Sequence, residues 1–157
     1  MDWIDELKKR DAESSSVAQF ADKVWMHRAQ VIAAKLPMFW TALVEWVELD
    51  CNRLRAELNA ARHCSIEKRA HNGFRINSER PSLPRFGLLV ECNTTGATLD
   101  CHEFITTDIY HAEESYGHGQ IRVALNENSD LIFDYKNKKY ATPEKLAEAL
   151  IRHVIEQ

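Results

Sequence analysis

Histidines, cysteines and the carboxylates near them are the residues of this chain that could hold a metal or move a proton. They fall into three groupings: His111 with Glu113, Glu114 and His118; His63 and Cys64 with His71; and Cys101 beside His102. Zinc accepts all these ligand types, but it needs three or four converging on one point. None of the groupings has the spacing of HExxH or of paired CxxC motifs. A solvated polar loop accounts for the first of them, so no metal site is expected. Whether His102, His111 and His118 converge depends on the fold. Glu103 stands in an otherwise apolar stretch. Buried there, it would hold its proton more tightly, as general acids do; turned outward, it would be an ordinary surface carboxylate. One step of strand register separates the two outcomes.

Nucleophilic and phosphate-binding chemistry find less support. The chain has no GxSxG, no GxGxxG and no GxxxxGK[ST], and only five glycines from which to build a phosphate cradle. Cys92 and Cys101 flank a turn at 93–96 and are expected on inward strand positions, where thiols act as small hydrophobes. A reactive cysteine needs an electropositive, partly exposed setting. No catalytic residue and no cofactor is therefore assigned.

Two sets of residues point to binding. Trp25, Trp40 and Trp46 lie on or beside a long apolar helical stripe, and widen it. The extra width serves either a second packed helix or a partner, since aromatic residues are common in interface cores. The second set is Arg53, Arg55, Arg62 and Arg69, within a stretch (53–85) that carries eight basic and three acidic residues in a chain of net charge −4. Such a patch could meet phosphates, with Phe74 stacking on a base. Arginines at a helix C-terminus also suit the helix dipole, and no nucleic-acid motif is present, so nucleic-acid binding is the weaker reading.

These residues must be positioned by the elements around them. Residues 1–10 suggest a short amphipathic helix, and Ser14 to Ser16 suggest a break with capping oxygens. From Val17 to Leu58 apolar residues recur every three or four positions. Pro37 interrupts that stripe and is expected to kink or end the helix, with a fresh start at the proline. Two helices follow, near 15–35 and 37–61. One unbroken helix of that combined length would reach about 70 Å, too long for a compact monomer.

Beyond His71-Asn72-Gly73, a turn signal, the period changes to two. Phe86, Leu88, Val90 and Cys92 alternate, a strand follows over 98–109, a polar loop over 111–119, and two further alternating runs around Ile121–Leu125 and Leu131–Tyr135. A tight turn at Lys136-Asn137-Lys138 leads to Tyr140. Connectors this short join antiparallel neighbours. The chain closes on a helix with Thr142 as N-cap, Pro143 in the first turn and an apolar face of Leu146, Ala149, Leu150, His153 and Val154.

The expected fold is therefore α+β, in a single domain over 1–157. It comprises a helical part (1–62), an antiparallel meander of five to six strands (72–141) covered on one face by helices, and a C-terminal helix (142–156). At 157 residues, 45% hydrophobic and 28% charged, the chain can bury a core without staples. No apolar run is long enough to span a bilayer, the N-terminus is acidic where a signal peptide is basic, and the four cysteines form no CxxC pair. A cytoplasmic location is the resulting expectation.

The favoured functional expectation is a non-enzymatic interaction module that forms a homodimer and offers a surface to a protein partner. The alternative is a small-ligand or hydrolytic enzyme with its site between sheet and helices, using Glu103, His102 or His118. The second alternative is nucleic-acid binding through 53–85.

Overall fold

Asp2 caps the first helix: its carboxylate accepts from the Ile4 N–H at 3.5 Å, with Asp5 and Glu6 in the first turn. From that cap the computed structural model carries one helix, α1, without interruption from Trp3 to Glu57. The structure describes residues 2–69, 72–93 and 97–157. His71 and the predicted turn residues 94–96 lie outside them.

The expected break at Pro37 and the earlier one at Ser14–Ser16 do not occur. Pro37 sits on the exposed side of α1, so the carbonyl it leaves unpaired can take water, and the Thr41 hydroxyl donates to the Pro37 carbonyl at 3.0 Å. The buried face runs straight past it through Ile32, Leu36, Trp40, Leu43, Val47 and Cys51. An interior proline costs about 3 kcal/mol, whereas each large apolar side chain buried contributes about 1.5–3 kcal/mol, so packing on both sides wins. The length argument failed because only the second half of α1 packs. Fifty-five residues span about 80 Å, yet every residue from Asp2 to Arg28 is exposed.

After α1, Asn59 caps a single 3₁₀ turn, Ala60–Arg62, accepting from the Ala61 N–H at 3.1 Å. Seven strands follow, one or two more than expected: β1 Cys64–Arg69, β2 Gly73–Ser78, β3 Arg85–Asn93, β4 Thr98–Thr106, β5 Glu114–Leu125, β6 Leu131–Tyr135 and β7 Lys138–Tyr140. They form one antiparallel sheet in sequence order, a plain meander. Three boundaries differ from expectation. β4 ends at Thr106 rather than 109. β1 extends the sheet back into a stretch with few apolar residues, and β5 begins inside the predicted polar loop. In the last hairpin Lys136 and Asn137 both take positive φ (50° and 65°), as a two-residue turn of this twist requires.

The terminal helix, α2 Pro143–Ile155, starts where expected, with the Thr142 hydroxyl accepting from the Lys145 N–H at 3.3 Å. α1 and α2 pack against each other and against the same face of the sheet. That face carries Phe74, Ile76, Leu88, Val90, Leu99, Ile121 and Phe133, all buried. Phe39 of α1 stacks on Phe133 with ring centres 3.9 Å apart, and Trp40 tilts against Phe74 at 5.2 Å. The overall architecture is thus α+β, and among the described residues no helix is long and apolar enough to cross a membrane.

Candidate functional site

The three tryptophans part company. Trp40 is core, Trp46 is half-buried against the core, and Trp25 stands 71% exposed on the free half of α1. Trp25 is not alone there. Trp3, Ile4, Leu7, Val17, Phe20, Val24 and Met26 are exposed on the same arm. Residues 3, 7, 17, 21, 24 and 28 fall at three- and four-residue multiples, so they share a face that continues toward the core-facing residues Ile32 and Leu36.

The basic stretch is largely engaged with carboxylates. Arg55 meets both Glu79 oxygens at 2.9 Å, Arg53 lies 3.3 Å from Glu57, and Arg69 lies 3.5 Å from Glu67. Arg62 is exposed on the 3₁₀ turn. Arg75, on the uncovered face of the sheet, forms a two-pronged pair with Glu113, and its guanidinium lies 4.6 Å over the Phe104 ring. That pairing holds the Glu113 carboxyl below its ordinary range and raises Arg75. Phe74 is fully buried, so it cannot stack on a base.

The predicted histidine groupings mostly separate. His102 and His118 do meet, as a cross-strand pair on the uncovered face with ring centres 4.4 Å apart. His111 instead pairs with Asp108 at 3.0 Å. Cys101 and His102, as strand neighbours, point to opposite faces. The His63 ring contacts the Leu58 carbonyl at 2.8 Å, while Cys64 faces Cys51 with sulfurs 3.1 Å apart in the core. The hydrogen bond between those thiols, with burial behind it, pushes Cys51 up, and the same bond pulls Cys64 down. Among the described residues no three His, Cys, Asp or Glu side chains converge as a metal site would need.

Glu103 points inward. Its neighbours were not anticipated: it contacts the His153 imidazole of α2 and lies 3.5 Å from the Lys136 ammonium. Gly117, directly across the ladder, makes room for it, since a Cβ there would collide with the carboxylate. Tyr135 closes the group. It is only 7% exposed, and its hydroxyl has no hydrogen-bond partner among the described residues. Burial, with Cys101 and Glu103 nearby, pushes that phenol well above its usual range. The sequence signals for this group were Glu103 in an apolar stretch and His153, a polar residue on the apolar face of α2.

A carboxylate–imidazole pair is two parts of a hydrolytic triad, but no activated nucleophile accompanies it. The neighbouring Cys101 thiol is pushed up to about 12, chiefly by burial and then by Glu103. It is a hydrophobe here, and so is Cys92, which burial also raises. What the group can do is hold charges in balance at a point where strand pairing stops. β6 pairs with β5 only from Arg122 to Leu125 and then turns away at Tyr135. No protein-family model, no curated protein and no solved structure matches this chain.

Proposed function

We propose that this chain is a self-associating interaction module whose α1 arm, residues 3–28, pairs with the arm of a second copy. The observation that carries this reading is the arm itself. It is a helix of about 40 Å with an exposed apolar face and no packing of its own. Isolated helices are marginal in water, and most helical stability in proteins comes from burying such a face. An arm interrupted by three serines has little intrinsic propensity to fall back on.

The spacing of the arm's apolar residues fits an antiparallel partner. The first turn carries Asp2, Asp5 and Glu6, balanced by Lys8, Lys9 and Arg10 in the next, and the root carries Asp22, Lys23 and Arg28. Antiparallel pairing sets tip against root, placing Leu7 opposite Val24 and Trp3 opposite Arg28, a cation over an aromatic face. Parallel pairing stacks like charges on one another along the seam. Nucleic-acid binding is less well supported, because three of the four arginines that suggested it, Arg53, Arg55 and Arg69, face carboxylates.

Cross-linking tests the register. A Leu7→Cys chain mixed with a Val24→Cys chain should form a mixed disulfide faster than either forms its own homodimer. A Met38→Cys chain, exposed but beyond the arm, serves as the background. Preferential Leu7→Cys homodimers, or no cross-linking above that background, would contradict the pairing.

A further inference from the structure

β5 is twelve residues long, but only its last four pair with β6. From Glu114 to Gln120 its β6-side edge makes no ladder, and no other described group hydrogen-bonds to that backbone. Six of these seven residues are exposed. An unpaired strand edge is a template for another extended chain. An edge alone decides nothing, but three independent features lie beside this one.

The first is the Tyr135 hydroxyl, buried and unpartnered at the point where β6 leaves the sheet. It faces a cavity of about 140 Å³ lined by Leu88, Cys101, Glu103, Gly119, Tyr135 and Lys136. The second is Gly119, near the end of the open edge where the ladder with β6 begins. A Cβ built there meets nothing within 4 Å, so the cavity has room for an incoming small side chain. The third is charge. Lys136 lies in the turn that ends β6, and Lys138 and Lys139 follow in β7; Lys136 is tied to Glu103, and the other two have no ion pair among the described residues. The rim also exposes Tyr116, and the preceding loop exposes Ile109 and Tyr110, residues of the kind that anchor partners.

We propose that the open edge of β5 binds an extended, acidic segment of a partner protein, which continues the line of β6 along Glu114–Gln120. Its backbone completes the ladder, a small side chain enters the cavity over Gly119, and one of its oxygens accepts from the Tyr135 hydroxyl. Its carboxylates face the Lys138–Lys139 side. A second copy of this chain is the lesser fit, because its matching edge offers Glu114 as the only carboxylate. This surface lies at the opposite end of β5 from the α1 arm, which passes the β5–β6 turn where Lys35 reaches the Ser129 carbonyl. The two readings therefore fail separately.

The test is to pan a library of linear twelve-residue peptides over the intact chain, then map the enriched peptides by amide NMR and hydrogen exchange. The expected result is enrichment of acidic peptides with alternating small apolar residues. They should protect amides within Ser115–Gln120, bind about tenfold more weakly to Tyr135→Phe, and weaken further with Lys138→Glu. Tyr135→Phe removes only an unpaired hydroxyl, so its fold should be intact, which an unchanged amide spectrum away from the site would confirm. Three outcomes would overturn the proposal: no enrichment, peptides that perturb the α1 arm instead, or peptides indifferent to Tyr135→Phe. Broadening of the same amides with protein concentration alone would assign the edge to a second copy and also overturn it.

Discussion

Burial of single polar groups makes the sharpest predictions at the residue scale. A buried hydroxyl without a partner costs about 1–3 kcal/mol. Tyr135→Phe should therefore leave the free protein as stable or more stable, with a thermal midpoint raised by a few degrees. A clear loss of stability would mean that the hydroxyl already has a partner. Gly117→Ala should cost about 1–3 kcal/mol in chemical denaturation, because its methyl meets Glu103, whose own Cβ and carboxyl carbon are close behind. Glu113 gives a pH prediction. Arg75 depresses its folded pKa, so its contribution to stability is present above the unfolded carboxylate pKa and is lost as pH falls through the folded value. Melting curves of the wild type and Glu113→Gln should thus differ at neutral pH and converge in acid. The sequence left Glu103 undecided between core and solvent because a strand's two faces differ by one residue of register. That register is set by β3 and β5, not by anything local to Glu103.

At the scale of elements, α2 was legible to within a residue because its signals agree: a threonine cap, a proline in the first turn and one apolar stripe. β3 was legible because its inward residues alternate cleanly. α1 was misread at Pro37, where a strong local rule met a stronger tertiary one. Proline opposes the helix at one bond, while Leu36, Trp40 and Leu43 hold it to the sheet on both sides. Pro37→Ala should accordingly stabilise the protein by about 1–2 kcal/mol, once the proline's restriction of the unfolded chain is set against the recovered hydrogen bond. Leu43→Ala, by contrast, should cost about 2–5 kcal/mol, and Trp25→Ala within about 0.5 kcal/mol at concentrations where the chain is monomeric. Urea denaturation of the three variants orders them directly. β1 and the first half of β5 were missed for a shared reason: edge segments bury too few side chains to print a period-two pattern.

The whole molecule is a covered sheet with a helical arm that reaches beyond it. Sequence gave the arm's apolar residues but not their exposure, since the same spacing serves a core, a neighbouring helix or a partner. Exposure sorts them: the stripe from Ile32 through Leu36, Trp40, Leu43 and Val47 is buried, while Trp3 to Trp25 face outward. The basic stretch shows the same limit in reverse. Its net charge was legible, but its pairing was not: Arg55 meets Glu79 from the far end of the same stretch, and Arg75 meets Glu113 from beyond it. Sedimentation equilibrium on the full chain over a wide concentration range tests the central claim, that the arm joins two copies. The account predicts a dimer mass for the wild type. A Leu7→Asp, Val24→Asp double variant should be a folded monomer, with its dissociation constant raised at least about a hundredfold. A wild-type protein that stays monomeric throughout, or a double variant that dimerises as before, would contradict it.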